Sequence, residues 1–171
     1  MLRILLPAAV LFALSACGEP SSPPTNDQAV TDTAPIPLGE AGRAKGVEFT
    51  VTKVATTSSI GPDGLGTAAG EGETFVVVDY TLKNIGTAPM NLMDRPSIKL
   101  MDGGGQTYAV DDLASGLSAA LMKDPSGMGA DLNPNVSAKA KTAWKVDKAT
   151  FDKASWKVVV GSDPQLTFAL K

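Results

Sequence analysis

The sequence predicts an all-β protein, an antiparallel β-sandwich of about seven strands with a short helical turn in one long connection. From residue 46 onward, short runs of Val, Ile, Phe, Tyr, Trp and Thr are separated by Gly, Asn, Asp and Pro. Apolar and polar residues alternate within these runs, which is the period of a half-buried strand. The 17 Gly and 12 Pro among 171 residues disfavour long helices and coiled coils. A β-barrel is the alternative architecture.

The alternation marks the strands one after another along the chain. The run that begins at Val76 is long and stops at Asn84-Ile85-Gly86. A glycine turn at 103–105 joins two runs as a hairpin. The predicted strands include residues 47–51, 76–82, 98–100, 108–110, 142–146, 156–160 and 166–170.

One segment, 112–124, has a helical pattern instead. Leu113, Leu117 and Leu121 recur every four residues, and Asp112 is a candidate N-cap. Asp124-Pro125 ends the run, because the residue before a proline avoids the helical region. We expect one or two helical turns there.

The N-terminus resembles the export signal of a bacterial lipoprotein. Arg3 precedes an uncharged apolar run over 4–14, which is short for a permanent membrane span. The run ends at Leu14-Ser15-Ala16-Cys17, which resembles a lipobox. In a lipobox the Cys thiol is acylated and the signal peptidase cleaves before it. An ordinary cleaved signal with an incidental cysteine is the alternative, but Cys17 is the only Cys, so no intramolecular disulfide competes for it.

These features divide the chain into a signal peptide (1–16), a lipidated Cys17 with a Pro/Ser/Thr-rich tether (17–45) and a sandwich domain (46–171). A membrane anchor made of two or three acyl chains is essentially permanent. By resemblance to Gram-negative lipoproteins, Gly18 rather than Asp after the cysteine indicates the outer membrane if the source has one. The expected location is therefore the cell envelope.

Composition excludes several function classes. The chain has no His, which removes Ser-His-Asp and Cys-His catalysis and imidazole-based zinc or copper sites. A net charge of −3 argues against a nucleic-acid partner, which requires a basic surplus. We therefore expect no enzymatic activity and no cofactor.

The strand sequences resemble a known bacterial family. The motifs are Gly46 to Val51, Glu73 to Asn84, Ile98 to Asp102 and the later Leu132-Asn133-Pro134-Asn135 step. The family is a domain of unknown function that recurs behind signal and lipobox segments and shares its immunoglobulin-like class with a mycobacterial secreted immunoprotective antigen. The resemblance implies an immunoglobulin-like sandwich and supplies no functional residues. One departure is Asn135, where the family usually has Gly.

Two sets of side chains are candidate metal ligands. The Met residues after Met1 could bind Cu(I), although filling of the core or of loops is favoured. The carboxylates of 94–131 could bind Ca²⁺, but their spacing matches no calcium loop, and we expect no metal site. The two sets are Met90, Met93, Met101, Met122 and Met128, and Asp94, Asp102, Asp111, Asp112, Asp124 and Asp131.

Lysines crowd the last third of the chain, and Lys139, Lys141 and Lys145 share one face of a strand. This stripe could bind an anionic polymer or an acidic partner. A solvated sheet face or a protected sheet edge is the favoured alternative. Together with Asp111 and Asp112, these lysines are the candidate binding residues.

We expect a lipid-anchored binding or adaptor module that contacts another envelope protein. Long loops on a rigid scaffold often carry function, which points to 57–72 and 112–136 as contact elements. A carrier of a small ligand or metal ion, using the loop Asp or Met groups, is the alternative.

Overall fold

The computed structural model describes residues 34–123 and 129–171. The signal peptide, the lipobox residues Leu14, Ser15, Ala16 and Cys17, and most of the tether lie outside the described residues. Helix α1 spans Asp112–Ala120, and one 3-10 turn spans Leu92–Asp94. The strands are β1 Ala41–Ala44, β2 Val47–Thr57, β3 Ser59–Ile60, β4 Thr67–Ala68, β5 Glu73–Asn84, β6 Ile98–Met101, β7 Thr107–Tyr108, β8 Ser137–Asp147, β9 Lys157–Val160 and β10 Leu166–Ala169.

The strands form two four-stranded antiparallel sheets. Sheet I has the order β1-β2-β5-β8, and sheet II has the order β10-β9-β6-β7. Strands β2, β5 and β8 take the positions of immunoglobulin strands A, B and E, and sheet II has the order G-F-C-C′. The predicted immunoglobulin-like β-sandwich is therefore confirmed. Three short strands add to the predicted set: β1 and the small β3–β4 hairpin.

The core lies between the sheets, because every second side chain of each long strand points inward. Phe49 connects the two layers: its ring stacks on Tyr80 at 4.7 Å and lies 5.5 Å from Phe168 of sheet II. Burial of this apolar area is the main stabilising contribution to the fold. The fully buried residues of the core include Phe49, Val51, Val76, Val78, Leu100, Trp144, Val158 and Phe168.

Helix α1 covers one half of the outer face of sheet I. Ala114 of the helix is fully buried and packs with Phe75, Ala143 and Ile60. Of the three leucines that recur every four residues, Leu117 packs against this cluster, whereas Leu113 and Leu121 are 63% and 60% exposed. The buried positions are instead Ala114 and Ser118, because small side chains let the helix approach the sheet closely.

The same helix closes the free edge of β8. The Ser115 hydroxyl accepts the Ala143 N–H at 2.9 Å and donates to the Ala143 carbonyl at 3.3 Å. The Asp111 N–H also donates to that carbonyl, at 2.9 Å. Thus α1 stands where strand D would extend a constant-type sandwich, and it blocks further strand pairing at Ala143.

The fold begins before the predicted boundary at residue 46. Ile36 makes a parallel bridge with Phe168, and its N–H donates to the Thr167 carbonyl at 2.8 Å. The chain then crosses to sheet I, where β1 pairs with β2. Residues 36–44 therefore belong to the sandwich rather than to the tether. Ile36 and Leu38 pack against the core, and backbone pairing holds β1, so the segment shows little apolar alternation.

Two asparagines hold the loops at one end of the sandwich. Asn84 is 1% exposed, and its amide donates to the carbonyls of Ala88 and Leu132 at 2.8 and 2.7 Å. Its side-chain oxygen accepts the Gly86 N–H at 2.9 Å. Asn135 has a φ of 63°, the left-handed region that glycine and asparagine adopt most readily. This backbone conformation accounts for the choice between Gly and Asn at position 135.

We predict that Gly42→Ala destabilises the protein by about 1–3 kcal/mol through overpacking. A Cβ on Gly42 would lie 2.5 Å from Ile36 Cδ1 and 3.0 Å from Phe168 Cζ, where the N-terminal segment crosses the core. Urea denaturation of the purified protein measures this change. Gly116→Ala in α1 is the control, because a Cβ there meets no atom within 4 Å and should stabilise the helix slightly. Equal midpoints for Gly42→Ala and wild type would contradict the packing described here.

Candidate functional site

The uncovered half of the outer face of sheet I carries an ordered set of charges. We call it the open face, and the strand pairing places its side chains in three rows that run across the strands. Neighbouring rows are about 6.8 Å apart, since alternate residues of a strand point to the same side. The open face comprises Arg43, Glu48, Thr50, Lys53, Asp79, Thr81, Lys83, Lys139 and Lys141.

The two outer rows each place a carboxylate between two cations. In one, Arg43 Nη2 lies 2.6 Å from Glu48 Oε2, and Lys83 is paired across from Glu48. In the other, Lys141 Nζ lies 3.2 Å from Asp79 Oδ1, and Lys53 is paired across from Asp79.

The middle row is neutral except at the β8 edge. Thr50 is paired with Thr81, and Thr81 is paired with Lys139. Lys139 is exposed, and it has no ion pair with any residue that the structure describes. Lys53 is also exposed and Lys83 is half-buried, and neither has an ion pair with a described residue. A hydroxyl-lined strip therefore lies between two charged rows and ends at an available ammonium group.

The open face is positive although the chain is negative. It has five cationic side chains and two carboxylates, whereas the whole chain has a formal charge of −3. Both carboxylates already contact a cation. The face consequently has a local positive potential that favours anionic groups.

The structure brings together two of the three predicted lysines. Lys139 and Lys141 lie on the open face, whereas Lys145 is paired with Phe75, in the half of the sheet that packs against α1. Strand β8 is an edge of sheet I. Lys139 and Lys141 therefore lie on an uncovered sheet face at a sheet edge.

The predicted acidic pair has a structural role. Asp111, not Asp112, is the N-cap of α1, and its Oδ1 accepts the Ala114 N–H at 2.9 Å. Asp112 is exposed in the first helical turn, where its negative charge interacts favourably with the positive end of the helix dipole. The cap moves one residue because Asp111 has extended backbone angles, φ −86° and ψ 104°. Neither carboxylate lies on the open face.

Asp102, another of the candidate loop carboxylates, is also used locally, and Asp124 lies outside the described residues. Asp102 Oδ1 accepts the N–H groups of Gly104 and Gln106, each at 2.9 Å, which fixes the β6–β7 turn. Its Oδ2 accepts the Tyr108 hydroxyl at 3.2 Å; burial, and then this bond, raise the pKa of Tyr108 above its ordinary value. Within residues 34–123 and 129–171, no group of three or more His, Cys, Asp or Glu could hold a metal ion.

The methionines are dispersed. Met90 is 8% exposed and packs in the core, whereas Met93 is 90% exposed. Met101 and Met122 are half-buried, and Met128 lies outside the described residues. Filling of core and loop space accounts for Met90, and the described positions form no single ligand set.

The sequence analysis missed Arg43, Lys53 and Lys83 as members of the positive surface. Alternation within β5 places Lys83 on the same side as Asp79, which was a usable signal. Lys53 gave no such signal, because a bulge between Val51 and Lys53 shifts the alternation of β2 by one residue.

Comparisons with known proteins give a consistent result. The family described as "Domain of unknown function (DUF4352)" matches residues 36–159. The uncharacterized protein YxkC of Bacillus subtilis (strain 168) is 33% identical over 127 residues, which is 74% of this chain and 71% of that protein. None of the helices in the described residues is long and apolar enough to cross a membrane.

Solved structures also align with this chain. A conserved hypothetical protein of Bacillus anthracis aligns with a TM-score of 0.64 and 22% identity, over 78% of this chain and 94% of that one. An uncharacterized β-sandwich protein of Clostridium difficile 630 aligns with a TM-score of 0.48 and 13% identity, over 80% and 95% of the two chains.

We predict that Asp111→Ala lowers the free energy of unfolding by about 1 kcal/mol, because an Ala cannot accept the Ala114 N–H. Asp111→Asn should keep nearly the full stability, since Asn caps as well as Asp. Chemical denaturation of the two variants distinguishes capping from a role of the charge. Equal losses for Ala and Asn would assign the carboxylate charge, rather than the cap, as the important feature.

Proposed function

We propose that this chain, which belongs to the DUF4352 family of domains of unknown function, is a lipid-anchored cell-envelope protein whose sandwich is a non-catalytic binding module. Its partner is another envelope protein with an acidic surface. The observation that carries the proposal is the positive open face on a chain that is otherwise acidic.

The proposed anchor rests on the sequence before the fold. The apolar run over 4–14 ends at Leu14-Ser15-Ala16-Cys17. An apolar run followed by such a tetrad is the order of segments that lipoprotein processing requires. Acylation of Cys17 and cleavage of the peptide bond before it would make Cys17 the first mature residue, and the outer membrane is the proposed site in an organism that has one. From Gly18 to Pro35 the chain could span several tens of ångströms at about 3 Å per residue if extended.

The proposed binding surface has the properties of a protein contact rather than of a reaction site. Its charges lie on the rigid strands β1, β2, β5 and β8, so their positions are set by strand pairing before a partner arrives. Lys53, Lys83 and Lys139 are available to a partner because Glu48 and Asp79 already contact other cations. Complementary charge of this kind contributes mainly specificity and association rate.

The ion pairs between partner and open face would be partly solvated. Each such pair contributes about 0–1 kcal/mol and is weakened by salt. Binding by this surface should therefore fall as ionic strength rises. That the segments 57–72 and 112–136 also contact the partner remains a prediction.

We predict that Lys83→Glu/Lys139→Glu abolishes partner capture by the full-length protein, because the available cations of the open face become anions. The measurement is cross-linking and affinity capture from the protein's own membranes, with captured proteins quantified against wild type. Lys99→Glu/Lys157→Glu is the matched control. It makes the same charge change on the opposite side, since Lys99 and Lys157 lie on strands of sheet II.

The outcomes separate the two parts of the proposal. Loss of a salt-sensitive partner in the open-face variant, with retention in the control, supports the binding surface. Equal capture by both variants contradicts it. Cys17→Ala should release the protein from the membrane fraction, and its retention there would contradict the lipid anchor without bearing on the surface.

A further inference from the structure

A cleft opens where the two sheets part at one end of the sandwich, beside the β1–β2 turn. Its volume is about 260 Å³. One wall is the β1–β2 turn at Ala44 and Lys45, and the opposite wall is formed by residues 94–97 and 161–164. Three side chains at the end of the core form its apolar part: Val47, Val160 and Leu166.

The walls of this cleft are held by backbone geometry. Lys45 and Gly46 have φ values of 43° and 77°, as a two-residue type I′ hairpin turn requires at both central positions. On the other side, the Gly161 N–H donates to the Ser97 carbonyl at 2.9 Å and ties the two segments of that wall together. The cleft is therefore preformed rather than dependent on a flexible loop.

The rim of the cleft carries charges of both signs. Lys45 and Asp163 make no ion pair with any residue in the described part of the chain. Arg95 is held in place, because its Nη2 donates to the Ala130 carbonyl at 2.6 Å. Ser97 and Ser162 add hydroxyl groups, and Asp94 adds a second carboxylate.

We propose that this cleft binds a free α-amino acid with an aliphatic side chain. The side chain of the ligand lies against Val47, Val160 and Leu166. Its carboxylate faces Lys45 and its ammonium group faces Asp163. A preformed apolar pocket with a few convergent polar groups is the usual form of a small-ligand site.

The size and the charges of the cleft select this ligand class. Its volume is below the range of about 300–1,000 Å³ that accommodates drug-sized ligands. A simple anion or cation would leave the apolar floor unused and one charge of the rim unmatched. A zwitterion with an apolar side chain satisfies the floor and both signs of charge together.

The test is isothermal titration of the purified full-length protein with leucine. Two leucine analogues serve as probes of the charges: leucine amide lacks the carboxylate, and N-acetyl-leucine lacks the ammonium group. We expect saturable binding of leucine and about two- to fivefold weaker binding of each analogue, as expected for loss of one partly exposed charge contact. Absence of leucine binding at millimolar concentration overturns the proposal.

Two variants assign the binding to the cleft. Lys45→Asn removes the cation and keeps the turn, because Asn is favoured in type I′ turns. Asp163→Asn removes the carboxylate. Each should weaken leucine binding about two- to fivefold with an unchanged melting temperature in the absence of ligand, whereas the control Lys99→Asn should bind normally. Unchanged binding in both cleft variants also overturns the proposal. Neither result depends on the membrane anchor or on capture by the open face.

Discussion

The register of β5 is the constraint on which both sheet I and its surface depend. This strand, Glu73–Asn84, is paired with β2 on one side and with β8 on the other over nearly its whole length. A slip of one residue would exchange the buried Val76 and Val78 for Val77 and Asp79. Burial of the core side chains therefore fixes which side chains of β5 point to the outer face. The positions of the charged rows follow from packing on the opposite side of the sheet.

Helix α1 determines how much of that outer face stays available. It covers the half of sheet I that contains Phe75 and Ala143, where apolar side chains need burial, and it occupies the edge of β8 at Ala143. The polar half stays uncovered by any element among the described residues. One helix thus divides the face into a packed half and a charged half, which is why Lys145 is separated from Lys139 and Lys141.

The sequence predicts much of the fold and less of the surface. Alternation within long strands is a local signal, so the strands around Val76, Thr142 and Trp156 could be located from residue order alone. The β1 segment escaped prediction because backbone hydrogen bonds and the close approach at Gly42 hold it, and neither leaves an apolar pattern. The charged rows escaped it because they join residues far apart in the chain, such as Lys53, Asp79 and Lys141. The cleft depends on three separate turns and has no sequence pattern of its own.

The central claim is that the open face is the contact surface of the protein in its envelope. Acetylation of lysines in intact membranes, quantified for each lysine by mass spectrometry, tests it most directly, with the same protein purified away from its partners as the reference. The account predicts that Lys53, Lys83 and Lys139 are protected in membranes relative to the purified protein, while Lys99 and Lys157 of sheet II react equally in both. Equal reactivity of all five lysines in the two preparations, or protection confined to sheet II, would contradict it.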